Sequence, residues 1–318
     1  MPTLPRNAGV DYSDAHFKDI RINKSAVEQR AGTLTKRRSV KKANQAAWLL
    51  KAVACIDLTT LSGDDTPAKV SRLCAKARQP VRSDLISALG VEDLALTTGA
   101  VCVYHNMIPH AVTALQGTDI PIAAVSTGFP AAQVSERIKL QQIKASVKAG
   151  ATEIDIVISR EKVLTGDWRG LYAEVSRFRE ACGDAHLKAI LATGELGTLS
   201  NVARASWVCM MAGADFIKTS TGKESVNATL PVTLVMLRAI RDFKDLTGFK
   251  VGYKPAGGIK TAKESIEYLA MIKEELGDEW LDPHLFRFGA SSLLTDIERQ
   301  LEHHVTGHYS ADYRHPTG

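Results

Sequence analysis

The sequence predicts a (β/α)8 barrel preceded by a helical extension, and three observations carry that prediction. From about residue 52 short apolar runs alternate with amphipathic stretches, the runs number eight, and neighbouring runs start 25 to 44 residues apart. Each interval has room for one strand-turn-helix-turn unit. Strict alternation of this kind builds a parallel sheet with right-handed crossovers. Eight units in about 265 residues match the count and length of a closed barrel. A doubly wound open sheet is the competing architecture, but no G-x-G-x-x-G follows the first run.

The runs begin near Ala52 (AVACIDLTT), Leu96 (LTTGAVCVY), Pro121 (PIAAVST), Glu153 (EIDIVIS), His186 (HLKAILA), Ala214 (ADFIKTS), Lys250 (KVGYKP) and Leu285 (LFRFGAS). Helical patterns fall between and after them at Ala131–Lys148, Trp168–Ala181, Val202–Met211, Val232–Lys244, Lys263–Leu276 and Leu293–His304. Residues 1–45 contain no clear strand and read as short helices or an extension packed on the barrel. Residues 46–305 form the barrel. The tail 306–318 is polar, rich in Gly, His and Tyr, and expected to be mobile.

Composition narrows the function. The chain of 318 residues is 45% hydrophobic, ordinary for a globular protein, and no stretch reaches the roughly 18 apolar residues that span a bilayer. Its net charge of +5 is uneven: residues 1–50 hold ten basic and four acidic groups, residues 51–318 thirty and thirty-one. A nucleic-acid-binding domain would carry its own basic stripe, so nucleic acid is not an expected partner. The cluster Lys36, Arg37, Arg38, Lys41 and Lys42 reads first as a solvated face, and second as a nuclear-import signal or anion-binding arm. Met1–Lys24 lacks an apolar signal core. The five scattered cysteines form no C-x-x-C pair, which suits free thiols in the cytoplasm.

The chemistry lies in polar residues on apolar strands. In Glu153–Ser159, Ile154, Ile156 and Ile158 share one face, and Glu153, Asp155 and Val157 the other. The isoleucines belong under the helices, so Asp155 turns into the lumen. By the same period Lys218 on the sixth strand and Lys254 on the seventh point inward near the carboxyl ends, where barrel enzymes build their sites. Asp57 on the first strand and Lys188 on the fifth add charge to that layer. A buried network serving only the core would be a weak source of stability. A dry pocket with a second ammonium, by contrast, lowers a lysine's pKa and yields an amine able to attack a carbonyl. A carboxylate beside it can shuttle protons through imine formation and hydrolysis. Periodicity does not say which of Lys218 and Lys254 is the nucleophile.

Gly257-Gly258 follows the seventh strand, and Gly289-Ala290-Ser291-Ser292 follows the eighth and opens a helix. Barrels frequently bind phosphate in these two loops. Lys223, just past the sixth strand, supplies a point charge for a phosphate dianion.

DFIKTSTGK (215–223), GYKPAGGI (252–259), EIDIVI (153–158), ATGELGT (192–198), RFGASSLL (287–294) and DLTTL (57–61) resemble the deoxyribose-phosphate aldolase family, in order and spacing, from about residue 50 to 305. The resemblance implies reversible aldol cleavage of 2-deoxy-D-ribose 5-phosphate to D-glyceraldehyde 3-phosphate and acetaldehyde through a lysine Schiff base, in deoxynucleoside breakdown. It implies Lys218 as the imine-forming lysine, Lys254 as the neighbouring cation and Asp155 as the proton relay, with no metal or other cofactor. Asp57, Thr221 and Lys223 would touch the sugar or its phosphate, with Gly257, Gly258, Gly289, Ser291 and Ser292 around the phosphate. A homodimer is the assembly the family suggests. Two features depart from it: compact bacterial members lack an extension like residues 1–45, and they often end in an active-site tyrosine. Here the last residues are His315-Pro316-Thr317-Gly318, and neither Tyr309 nor Tyr313 is assigned that role.

Other signals are weaker. Thr221-Gly222-Lys223 is not a P-loop, because Glu224 and Ile217 stand where Ser or Thr and a first glycine are required. His304 and His308 have i, i+4 spacing without a second ligand cluster, so no metal site is expected. Cys102 reads as a small buried apolar residue that an aldehyde could reach. The functional alternatives are another imine-forming aldolase or transaldolase-like barrel, and a barrel that only binds.

Overall fold

The computed structural model describes residues 6–34, 37 and 39–315. Eight parallel strands, β1 (Ile56–Thr59), β2 (Ala100–Val103), β3 (Ile122–Val125), β4 (Glu153–Val157), β5 (His186–Ile190), β6 (Phe216–Lys218), β7 (Gly252–Lys254) and β8 (Phe288–Ala290), pair in the order β7-β6-β5-β4-β3-β2-β1-β8. Isolated parallel bridges Tyr253–Phe286 and Ala256–Gly289 bring β7 against β8 and close the ring. The expected barrel is the observed fold.

Among the described residues twelve α-helices accompany the strands: α1 (Lys24–Leu34), α2 (Lys42–Ala54), α3 (Pro67–Arg78), α4 (Ser83–Leu89), α5 (Ile108–Ala114), α6 (Glu136–Lys148), α7 (Arg160–Thr165), α8 (Trp168–Cys182), α9 (Leu199–Met211), α10 (Leu230–Thr247), α11 (Ala262–Leu276) and α12 (Ser292–Thr306). Their limits follow from local chemistry. Thr66, Thr198, Thr229 and Thr261 accept backbone N–H bonds at the starts of α3, α9, α10 and α11, and Glu264 completes a capping box on α11. In α8 the inward stripe Leu171, Val175, Phe178 and Cys182 has helical spacing and is buried. The main core lies between helices and strand exteriors, with Ile154, Ile156 and Ile158 in it.

The first apolar run divides differently from the expectation. Its opening Ala52-Val53-Ala54 ends α2, and the strand starts at Ile56. Ala46, Leu49, Leu50 and Val53 form one buried helical face, so the 3.6-residue period wins over the short apolar run. The boundary expected at 45/46 therefore falls inside α2, which packs on α11 and α12. Upstream, Asn7 is buried at the amino end of the barrel; its Nδ2 donates to the Met210 and Ala214 carbonyls at 2.7 and 2.9 Å. Phe17 sits edge-on to Tyr12 and Trp168, and α1 packs on α10 and α11.

Past α12 the chain folds back on that helix. His315 is buried beside Ser310 and Glu302, at 2.7 and 2.9 Å, and its carbonyl accepts from Thr295 Oγ1. Lys36 and Arg38 of the basic cluster, and residues 316–318, lie outside the described residues. All five cysteines are buried free thiols. Among the described residues no helix is long and apolar enough to cross a membrane.

Candidate active site

Alternation along β4 turns Glu153 and Asp155 into the lumen, and parallel register places Lys218 directly beside Lys254. Asp155 is the meeting point. Its Oδ2 accepts from Lys218 Nζ at 2.7 Å and from Lys254 Nζ at 2.8 Å, and its Oδ1 from Lys188 Nζ at 3.0 Å. Asp57 lies alongside, fully buried, bonded to Lys254 through Oδ2 and to Arg287 Nη1 through Oδ1 at 2.5 Å. Glu153 completes the group, bonded to Lys188 and to Arg287 Nη2.

These buried side chains number four cations and three carboxylates, so their protonation states are linked. Burial alone would raise the Asp155 pKa, but Lys188, Lys218 and Lys254 hold it well below the usual carboxylate range. Burial likewise opposes the charge on Lys254, and the carboxylates of Asp155 and Asp57 overcome it, raising its pKa. For Lys218 the balance goes the other way: burial, reinforced by the Lys254 ammonium, outweighs Asp155 and lowers its pKa. Lys218 thus releases its proton most readily of the lumenal lysines.

Above the cluster opens a cavity of about 360 Å³, on whose wall Lys218 lies while Lys188 and Lys254 do not. Of the residues expected at the substrate, Thr221, Lys223, Gly257, Gly258, Gly289, Ser291 and Ser292 also line it. Asp57 does not. It lies beneath, its carboxylate enclosed by Lys254 and Arg287. Two glycines are needed here for space. Gly257 has φ +81, and a Cβ on it would come 2.6 Å from Asn227 Cγ. A Cβ on Gly289 would stand 2.7 Å from Ala256 Cβ and 3.3 Å from Lys254 Cε. Ser291 precedes α12 without capping it by its side chain, so that helix opens its first N–H groups beside the cavity.

The loop after β6 is tied down from within. Glu224 accepts from the backbone N–H of Thr221 and Gly222 at 3.0 and 3.1 Å and from Thr221 Oγ1 at 2.7 Å. Lys223 reaches across the mouth and donates to the Leu61 carbonyl at 3.0 Å. On the opposite side Cys102, Ala123 and Val125, with Leu61, Tyr104 and Phe129, form an apolar patch in the lumen.

Sequence reasoning passed over Glu153, Arg287 and Glu224 as site components. The first two had a signal: Glu153 shares the Asp155 face, and Arg287 stands two residues before Gly289 on the same alternation. Glu224 had none beyond its place in the loop.

A closed parallel barrel with buried lysines sharing a carboxylate beneath a cavity at the strands' carboxyl ends is the layout of a barrel lyase working through an amine. A family model described as DeoC/LacD family aldolase matches residues 51–298, and the chain belongs to that family. The deoxyribose-phosphate aldolase of Bos taurus is 61% identical over 305 residues, covering 95% of this chain and 96% of its own length. That of Homo sapiens is 59% identical over 307 residues, 96% of each. In structure, the tetrameric deoxyribose phosphate aldolase of Aeropyrum pernix is similar in fold, with TM-score 0.61 and 19% identity over 88% of this chain and 99% of its own.

Proposed function

We propose that this aldolase cleaves 2-deoxy-D-ribose 5-phosphate reversibly to D-glyceraldehyde 3-phosphate and acetaldehyde, with Lys218 as the imine-forming lysine. The observation that carries the assignment is that Lys218, alone among the lysines bonded to Asp155, lines the cavity and has a lowered pKa.

The neutral Lys218 amine attacks C1 of the open-chain sugar, and the carbinolamine loses water to give a protonated imine. Products of two and three carbons place the broken bond between C2 and C3. As the C3 hydroxyl gives up its proton, that bond's electron pair moves toward the iminium and leaves an enamine on Lys218, while glyceraldehyde 3-phosphate departs. Protonation at C2 and hydrolysis of the imine release acetaldehyde and restore the amine. Asp155, hydrogen-bonded to Lys218 and Lys254, is the proton relay, and Lys254 is the cation that helps keep Lys218 neutral. The iminium is itself the electron sink, so the chemistry requires no metal.

Gly257, Gly258, Gly289, Ser291, Ser292 and Lys223 seat the phosphate through backbone N–H, hydroxyl and ammonium donors. Thr221 supports that loop. Asp57 acts on the sugar through Lys254, its hydrogen-bond partner, rather than by contact. We further assign the protein to the cytoplasm and to deoxyribose phosphate breakdown, with a homodimer as the assembly to test by light scattering.

The experiment is incubation with acetaldehyde and borohydride followed by peptide mass spectrometry. One ethyl group is expected on Lys218 and none in Lys218→Ala. Trapping at Lys254 would reverse the two lysine roles, and an unmodified, folded protein would end the imine reading.

A further inference from the structure

The lumen holds more ion-pairing groups than imine chemistry uses. Arg287, 3% exposed, lies two residues before Gly289 and ties Asp57 to Glu153 with contacts of 2.5 and 3.1 Å. Lys188 bonds Glu153 and Asp155 and lies 3.6 Å from Asp57. Lys254 bonds Asp57 and Asp155. Among the described residues the Lys218 ammonium pairs with one carboxylate, Asp155, on the oxygen Lys254 also uses.

Four cations on three carboxylates leave one positive charge in surplus, and burying an uncompensated charge is costly. The cost disappears if one cation sheds its proton. Arg287 cannot, because a guanidinium stays protonated in proteins. Lys254 and Lys188 each hold two or three carboxylates. The surplus therefore falls on Lys218, the cation with the least compensation, and without Arg287 there would be no surplus.

We propose that Arg287 and Lys188 are positioning residues for the aldol reaction: by neutralising Asp57, Glu153 and half of Asp155 from below, they leave Lys218 as the lumenal cation without a carboxylate of its own. This rests on the reading of Lys218 as the imine lysine. The groups facing Lys218 are few. Asp155 comes from β4, Lys254 from β7 and the Cys102 thiol from β2, which burial keeps protonated. Behind them stand Lys188 from β5, Asp57 from β1, Glu153 from β4 and Arg287; the lumenal residues of β3, Ala123 and Val125, carry no charge.

The test is the ascending, acid-side limb of kcat/KM for deoxyribose 5-phosphate cleavage between pH 5 and 10, which reports the free enzyme's base. Arg287→Met and Lys188→Met each leave three cations on three carboxylates. Each is expected to move the limb alkaline by about one pH unit, so activity at neutral pH falls about tenfold and recovers at higher pH. Arg287→Lys keeps the charge, and the double variant Arg287→Met/Glu153→Gln keeps the surplus with three cations on two carboxylates; both are expected to leave the limb in place. Circular dichroism identifies the folded variants, and either single charge-removing variant suffices. A folded Arg287→Met or Lys188→Met protein with an unmoved limb would overturn the proposal, as would a moved limb in the double variant. Borohydride trapping on the unsubstituted protein separates the two readings, because loss of the Lys218 adduct there rejects the imine assignment, whereas an intact adduct with unmoved limbs rejects only this one.

Discussion

Lys218 and Lys254 occupy the same register on adjacent strands, yet their ammonium groups are not equivalent. Lys254 is held between two carboxylates, and Lys218 shares one. The difference sends one pKa up and the other down without any change of residue type. Asp155 is the residue on which both depend, and Asp155→Asn should separate chemistry from stability. As a proton relay its loss is expected to lower kcat by about 10²- to 10⁴-fold. It also leaves four buried cations on two carboxylates, and breaking a buried pair of this kind typically costs about 3–5 kcal/mol. Steady-state kinetics and a urea denaturation curve on the same preparation would check the two effects. Loss of stability with kcat unchanged would make Asp155 a structural residue only.

The loop from β6 to α10 shows how an element can hold a site without touching the chemistry. Glu224 fills the backbone donors of Thr221 and Gly222, which aims Lys223 across the mouth to the Leu61 carbonyl. Glu224→Ala is expected to raise KM for the phosphorylated sugar about tenfold, equivalent to roughly 1.4 kcal/mol of phosphate binding, with kcat within about twofold. Its effect should shrink for unphosphorylated deoxyribose, which isolates the phosphate contact. The TSTGK motif marked this loop in the sequence, but Glu224 read there only as the residue that spoils a P-loop. What it accepts depends on how the loop curls, and no spacing rule encodes that. The same limit applied at α2, where an alanine-rich helix runs into a strand across Cys55 and a single apolar stretch carries both.

For the molecule as a whole, the lumen sets the response to pH. Asp57, Glu153 and Asp155 all have folded-state pKa values below the ordinary ones, because their cationic partners outweigh burial. A depressed carboxylate contributes stability that is fully present above its unfolded pKa of about 4 and is lost as pH falls through the folded value. Lys188 and Lys254 are shifted upward, so their contribution is present below about pH 10.4 and is lost as pH rises through the folded values. Lys218, shifted downward, opposes them and costs stability below that same pH. The denaturant midpoint is therefore expected to fall steeply between pH 4 and 2, and to rise with pH from the neutral range toward about pH 10 as the cost at Lys218 is relieved. A midpoint unchanged at pH 2 would mean that the carboxylates contribute nothing.

The period of two along each strand is a property of the extended chain, so the face on which Asp155, Lys218 and Lys254 lie could be read from residues a few positions apart. Strand count and alternation likewise carried the barrel, since a parallel strand must be followed by a crossover. The partners of those side chains could not be read this way. Arg287 meets Asp57 across 230 positions of sequence, and Lys254 meets it across 197. Such contacts exist only once β8 and β1 are paired in register, and a one-residue slip would turn every one of these side chains out of the lumen. Closure of the barrel therefore decided which lysine is undercompensated, that Asp57 lies beneath the cavity, and that Glu153 and Arg287 join the network, because charge balance in a dry interior depends on neighbours in space.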